Sequence, residues 1–430
     1  MNQELFKDIK KVHCVGIGGI GVSALARFML HAGKEVTGSD RSVTDLITKL
    51  EEEGVKFLGD HLAGNITDDI DLVVYSPAIT TENPELATAK AKGIKMLSYP
   101  EVLGEISKVM FTITVSGTHG KTTTTSMIAD VLTEAGLSPT VIVGSIMKKF
   151  GSNFVAGKGS IFVVEACEYR DSFLSLHPDI AVITNIEEDH LDWFKDKQGV
   201  LDAFKKFVAR VKDGGTIVVN LCKEEEGKVV AEALYRIEDY SLVTIPEEVQ
   251  LMGNHNYENA KAVLVVASLL SVPLETAYKA LNNFQGTWRR IEEKGESAEG
   301  ALLYDDYAHH PTEIRATLSA LKGRFPDKKI VAIFQPHLYS RTKLLLNDFG
   351  KAFGDASQVF VLPIYAAREE DDGSISSADV VKKIAAENIP VELCENFDQC
   401  VEKIKAETSD ENIVVTLGAG DVYHLHQMLS

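Results

Sequence analysis

Three times along the chain, near residues 11, 110 and 300, a short apolar strand-like run ends abruptly in a turn dense with glycine or histidine. Around these points apolar β-rich runs alternate with longer helix-like runs, the pattern of parallel sheets covered by helices. A chain so built is confined to the α/β class, and its ligands belong at the carboxyl ends of strands. Neither a low-complexity stretch nor a longer internal repeat competes with this reading.

The first turn follows a strand expected over residues 11–15 and reads Gly16-Ile17-Gly18-Gly19-Ile20-Gly21, with a helix expected over 22–30. Gly16, Gly18 and Gly21 satisfy G-x-G-x-x-G, and the next strand, 35–37, ends near Asp40. Such a loop brings backbone N–H groups to a diphosphate at a helix N-terminus, where partial positive charge needs no lysine. Asp40 is compatible with NAD, and a tight strand-to-helix turn without ligand is the alternative.

The second turn is sharper. A strand over 111–115 leads into Ser116-Gly117-Thr118-His119-Gly120-Lys121-Thr122 and a helix over 123–135. A strict P-loop asks for glycine where Val115 stands, so the formal motif fails by its spacing. Its chemistry survives: Gly117 and Gly120 free the backbone to wrap phosphates, Lys121 can reach the terminal phosphate and Thr122 can ligate Mg²⁺. Farther on, strand 161–164 ends in Glu165, and strand 181–184 ends near Asp189-His190. Acidic and imidazole groups beside a phosphate loop are placed to hold metal, and Mg²⁺ takes few protein ligands. The third turn, Asp305-Asp306-Tyr307-Ala308-His309-His310-Pro311, follows strand 301–304, and Gln335-Pro336-His337 follows strand 330–334. Neutral imidazole there could accept a proton or orient an amine.

Composition bounds the alternatives. With 430 residues, roughly three domains of about 150 residues are expected, and 44 Lys+Arg against 63 Asp+Glu give a net charge of −19. That acidic balance excludes a general nucleic-acid binder, so an anionic ligand needs a local device. The longest apolar runs, such as 180–183 and 262–267, fall far short of the roughly 20 residues that cross a bilayer, so no membrane partner is expected. The charged lead-in of residues 1–11 lacks the apolar core of a signal peptide. Five cysteines without a C-x-x-C pair fit reduced thiols, and Cys167 is expected to be buried and inert.

Taken together the motifs resemble the Mur ligases over about residues 11 to 425. In order they are the Gly16–Gly21 loop; Ser76-Pro77-Ala78-Ile79; Gly117-Thr118-His119-Gly120-Lys121-Thr122; Thr184-Asn185-Ile186-Glu187-Glu188-Asp189-His190; Gly253-Asn254-His255-Asn256 with Asn259; Phe284 to Gly286 with Arg289-Arg290; the 305–311 turn; and Gln335-Pro336-His337 with Ser340-Arg341-Thr342. The resemblance implies an ATP-dependent ligase of bacterial peptidoglycan synthesis, cytoplasmic, a monomer or weak homodimer. Its substrates would be ATP, L-alanine and UDP-N-acetylmuramate, joined through an acyl phosphate. Three domains are expected: a Rossmann-like UDP-sugar domain over 1–106, a P-loop ATPase-like central domain over 107–290 and a Rossmann-like domain over 291–430.

Carried over residue by residue, the resemblance gives Gly16, Gly18, Gly19, Gly21, Asp40, His61 and Ser76 to the UDP-sugar, not to NAD. It gives Gly117, Thr118, His119, Gly120, Lys121, Thr122, Thr123, His255, Asn256, Asn259, Arg290 and Asp306 to ATP, with Arg289 a second candidate at the hinge. Thr122, Glu165 and His190 are expected to face Mg²⁺, and Tyr307, His309 and Arg341 to hold the amino acid. Lys121, Glu165, His190, His309 and Arg341 would carry the chemistry. Domain closure from the Asp306 side would exclude water from the acyl phosphate.

The pattern also departs. Where the family commonly shows E-A-D-E-S-D, this chain has Glu165-Ala166-Cys167-Glu168-Tyr169-Arg170. Phe204 stands where several relatives carry a carbamylated lysine, Tyr99 where an arginine often precedes P-E-V-L, and Leu338 where one often follows Q-P-H. Competing readings are a recycling ligase that joins a tripeptide to the same UDP-sugar, a noncatalytic ATP-binding scaffold, and an NAD oxidoreductase. The scaffold predicts loss of Lys121, Thr122, Glu165 or His190, all retained. The oxidoreductase leaves the phosphate loop unexplained.

Overall fold

The computed structural model describes residues 6–367 and 369–430, so the first five residues of the charged lead-in lie outside the described residues. By internal packing the chain divides into two compact units, Met1–Val249 with Glu258–Gln285, and Gln250–Tyr257 with Gly286–Ser430.

The first unit holds two sheets. Strands β1 (Lys11–Val15), β2 (Glu35–Ser39), β3 (Lys56–Phe57), β4 (Leu72–Tyr75) and β5 (Lys95–Ser98) lie all parallel in the order 3-2-1-4-5. Val12, Cys14 and Val15 of β1 and Leu72, Val73 and Val74 of β4 are buried. Central parallel strands covered on both faces need such unbroken apolar runs. Strand order reverses at β1, so its carboxyl end is the switch point where a ligand crevice opens, and Gly16 begins there.

The second sheet has seven strands: β6 (Phe111–Ser116), β7 (Thr140–Met147), β8 (Ser152–Val155), β9 (Ile161–Glu165), β10 (Ile180–Ile183), β11 (Thr216–Val219) and β12 (Arg236–Asp239). Their order is 12-11-10-6-9-7-8, and only β8 runs antiparallel to its neighbour. Strand β6 lies between β10 and β9, so the loop after it is flanked by the ends of both. Helix Ile20–His31 of the first layer is tied to β8: Arg27 Nη1 donates to Asn153 Oδ1 at 2.6 Å, and Asn153 Nδ2 donates to Ile20 O at 2.6 Å. Both glycine loops therefore belong to one packed body.

The second unit has a six-stranded sheet of β13 (Glu292–Glu296), β14 (Leu302–Asp306), β15 (Lys329–Phe334), β16 (Gln358–Val361), β17 (Val391–Leu393) and β18 (Asn412–Leu417), in the order 13-14-18-15-16-17. Only the edge pair β13–β14 is antiparallel.

The α/β class and the parallel sheets agree with the sequence reading; the differences lie at element ends. The helix expected over 123–135 starts at Lys121, because Gly120 caps it in the left-handed region at φ 81°. The strand expected to stop at 304 continues to Asp306, because Asp305 and Asp306 pair in register with Thr416 and Leu417 of β18. Among the described residues no helix is long and apolar enough to cross a membrane. All five cysteines are free thiols; Cys14, Cys394 and Cys400 are buried, whereas Cys167, expected inside, is exposed.

Candidate active site

The central loop is built around Lys121. Gly117, at φ 138°, passes so close to Thr184 Oγ1 that any Cβ would collide with it, and a Cβ on Gly120 would stand 2.5 Å from Asn259 Oδ1. Both positions therefore demand glycine twice over, by backbone angle and by space. The turn after β10 clamps the loop: Asn185 Oδ1 accepts from the His119 N–H at 2.8 Å, Asn185 O from the Thr118 N–H at 3.0 Å, and the Glu187 N–H donates to Thr118 Oγ1 at 2.8 Å. His119 Nε2 lies 3.5 Å from Glu187. With those amides engaged, the donors left for phosphate are at the helix start, where the N–H groups of Lys121, Thr122 and Thr123 precede the first intrahelical bond, Thr124 N–H to Gly120 O at 2.9 Å.

Lys121 Nζ donates to Gly117 O at 2.5 Å and Thr118 O at 3.0 Å, and pairs with Glu168 at 2.9 Å. Burial works against its charge, but the Glu168 carboxylate, with that of Glu165, outweighs that and holds the ammonium above its ordinary range. Thr122 Oγ1 donates to Glu165 Oε2 at 3.0 Å, and the Gly144 N–H donates to the same oxygen at 2.8 Å. A Cβ on Gly144 would stand 2.8 Å from Glu165, so the carboxylate occupies a fitted place. His190 sits at φ 53° with Nε2 3.9 Å from Glu168, its ring 4.6 Å from that of Tyr169. Thr122 and Glu165 bring together a hydroxyl and a carboxylate, hard oxygen donors of the kind Mg²⁺ takes, while His190 stands on the Glu168 side and is not drawn into one close cluster with Glu165. Glu168, buried between Lys121 and His190, was not among the expected site residues; its spacing three after Glu165 was the available signal. Phe204 packs edge-on against Phe173 at 5.3 Å in the core, so that position has no polar part in the site.

At the first glycine loop, Gly16 has φ 78°, and the Gly16 and Ile17 N–H groups donate to Ser39 O at 2.9 and 3.0 Å. Asp40, expected at the ligand, uses Oδ2 to accept from the Gly18 N–H at 2.8 Å. That bond fixes the turn of the loop at Gly18. Ser76 Cβ would lie 3.3 Å from a Cβ on Gly16, and the Tyr99 ring 2.8 Å from one on Gly21. His61 is buried, with Nδ1 2.8 Å from Ser39 Oγ and 3.1 Å from Glu85 Oε2. Fully buried Glu85 also takes His13, Ser39 and Asn65 as partners, so His61 belongs to a polar core beneath the loop.

In the second unit, Asp306 accepts from the Ile291 N–H at 2.6 Å and the Ala308 N–H at 2.7 Å. Burial lifts its carboxyl to about 6 although Arg290 pulls the other way. Arg289 does not project as a ligand contact: it is buried, with Nε on Asp305 at 2.9 Å, Nη1 on Gly420 O at 2.8 Å and Nη2 on Gly418 O at 2.5 Å. Arg290 lies 3.7 Å from Glu313 and over the Tyr307 ring at 5.4 Å. Burial and then Arg290 push the His255 imidazole down to about 4, and Asn256 Nδ2 donates to Met252 O at 2.8 Å. Asn259 falls in the first unit, against Gly120.

The expected amino-acid residues do come together. The Tyr307 and His309 rings meet edge-on at 5.4 Å, His309 and His337 at 6.0 Å, and Arg341 Nη1 lies 3.3 Å from His337 Nδ1. His309 Nδ1 is 2.9 Å from Tyr307 O. A carbonyl can only accept, so Nδ1 carries the proton and Nε2 is the basic nitrogen of the neutral ring. His337, stacked on Tyr365 at 5.7 Å, completes a group whose expected members were only its neighbours. Leu338, at φ 70° and buried, anchors its amide on Tyr365 O at 2.9 Å, which starts the helix carrying Arg341.

Models of three domains match the chain: the catalytic domain of the Mur ligase family over residues 11–110, the Mur ligase middle domain over 115–244, and the glutamate ligase domain of Mur ligases over 289–420. A UDP-N-acetylmuramate–L-alanine ligase of Caldanaerobacter subterraneus is 41% identical, with 97% of each chain covered. One of Lachnospira eligens is 40% identical, covering 99% of this chain and 98% of that one. Among solved structures, a UDP-N-acetylmuramate-alanine ligase of Thermotoga maritima superposes with a TM-score of 0.82 at 28% identity, covering 97% of this chain and 98% of the other. A murein peptide ligase of Psychrobacter arcticus shares the fold, with a TM-score of 0.72 at 24% identity over 98% of both chains.

Proposed function

The chain belongs to the Mur ligase family, and from that premise we propose that it joins L-alanine to the lactyl carboxylate of UDP-N-acetylmuramate while ATP becomes ADP and phosphate. A carboxylate resists attack by an amine at neutral pH because its leaving group would be oxide. Phosphorylating it first supplies a leaving group. The observation that carries the reading is Lys121, held charged at the mouth of the phosphate loop with Thr122 and Glu165 beside it. Amides at the start of helix Lys121–Glu134 would cradle the phosphates, and Lys121 would turn from Glu168 to the transferring group, which is positioning and electrostatic work. Thr122, Glu165 and His190 would hold Mg²⁺, whose part is to neutralise phosphate charge.

The first glycine loop takes the UDP diphosphate, since a dipole-based cradle does not depend on which diphosphate it holds. Tyr307, His309 and Arg341 receive L-alanine: the guanidinium grips the carboxylate and His309 Nε2 accepts the amine proton. The reading places the reaction in the cytoplasm, with ATP and Mg²⁺ as cofactors and neither nucleic acid nor membrane as partner. The test is phosphate release with Mg-ATP and UDP-N-acetylmuramate, comparing free L-alanine with a tripeptide acceptor. Release on L-alanine alone is expected; release only on the tripeptide would replace this reading with the recycling ligase.

A further inference from the structure

One short segment links the two loops. After β9, Glu168 pairs with Lys121 at 2.9 Å, the Tyr169 ring lies 4.6 Å from that of His190, and Arg170 Nη1 donates to Pro77 O at 3.3 Å. Pro77 follows Ser76, whose Cβ would stand 3.3 Å from a Cβ on Gly16. The Arg170 guanidinium thus lies one residue from the wall of the first glycine loop, while its backbone lies two residues from the partner of Lys121. Its side chain is exposed, and one bond to a carbonyl leaves most of its five donors available. Its backbone is unusual too: Arg170 at φ 53° and Asp171 at φ 58° are successive non-glycine residues in the left-handed region. Such strain persists where surrounding structure imposes it, and it collects at ligand sites.

A substrate whose diphosphate lies on the Gly16 loop and whose reacting carboxylate must reach Lys121 has to span this interval. We propose that Arg170 binds the lactyl carboxylate of the muramyl group and holds it toward the phosphate loop, an inference that rests on the function proposed above. A guanidinium matches a carboxylate with two parallel bonds. On the other side of the first loop stands the ring of Tyr99, 2.8 Å from a Cβ on Gly21, which offers no cation to a carboxylate.

The decisive variant is Arg170→Gly, which removes the guanidinium while easing the left-handed backbone, so loss of fold does not confound it. The apparent KM for UDP-N-acetylmuramate should rise roughly tenfold or more, with the KM for ATP unchanged. Calorimetric binding of UDP, which lacks the muramyl group, should stay at the wild-type level, and Arg170→Lys should recover part of the loss. An unchanged KM for UDP-N-acetylmuramate, or an equal loss of UDP affinity, would overturn the inference. Wild-type phosphate release run alongside separates the two claims: release only with a tripeptide overturns the L-alanine reading alone, because both ligations begin at the same carboxylate.

Discussion

Lys121 keeps its charge inside its own loop because two carbonyls and Glu168 face it at hydrogen-bond distance. The loop's sequence announced the cation but not its partner, since Glu168 is 47 residues away and only folding brings it there. Asp40 and Arg289 teach the same lesson in reverse. Each stands in a motif position and is also engaged by backbone: Asp40 holds the Gly18 amide, and Arg289 staples Asp305 to the Gly418–Gly420 turn. Which of two uses a polar side chain serves is decided by distant backbone. Burial also sets a titration at this scale. His426 is buried with Nε2 2.7 Å from Thr416 Oγ1, and desolvation depresses its imidazole to about 4. The unfolded chain protonates near 6.5, so between pH 6.5 and 4 it binds the extra proton and stability falls as pH falls. His426→Gln should lose that component: in denaturant titrations, its stability relative to wild type should improve by up to about 3 kcal/mol on going from pH 7 to pH 4. A constant difference across that range would contradict the assignment.

Strands and helices were legible because period and punctuation are local: β1, β6, β9, β14 and β15 all start within a residue of where apolar runs begin. What joins the elements was not. The turn after β10 reads as a string of acids and an imidazole, yet Thr184, Asn185 and Glu187 fasten the phosphate loop from the neighbouring strand end. Asn185 is the most exacting of them, with Oδ1 accepting from His119 N–H and Nδ2 donating to His119 O at 3.0 Å. Asn185→Ala leaves that amide without its acceptor, a cost on the order of 1–2 kcal/mol. The apparent KM for ATP should rise roughly fivefold to thirtyfold, while UDP-sugar affinity measured by calorimetry stays put. Loss of both together would show that the clamp supports the whole unit and not the loop.

At the scale of the molecule, three mainly parallel sheets deliver three loops, and an overall charge of −19 leaves anion binding to backbone amides and a few placed cations. The order of events follows from the chemistry assigned to them. In the proposed reaction Lys121 and its surroundings would activate the carboxylate, in the first unit, and His309 with Arg341, in the second, would serve its capture by the amine. Two residues can therefore be used to separate the steps. The direct measurement is positional isotope exchange in ATP with UDP-N-acetylmuramate present and L-alanine absent, paired with borohydride trapping of the acyl phosphate. Wild type and His309→Ala should both form the acyl phosphate, with ligation lowered in the latter, whereas Lys121→Ala should form none. Loss of acyl-phosphate formation in His309→Ala as complete as in Lys121→Ala would contradict the division between activation and capture.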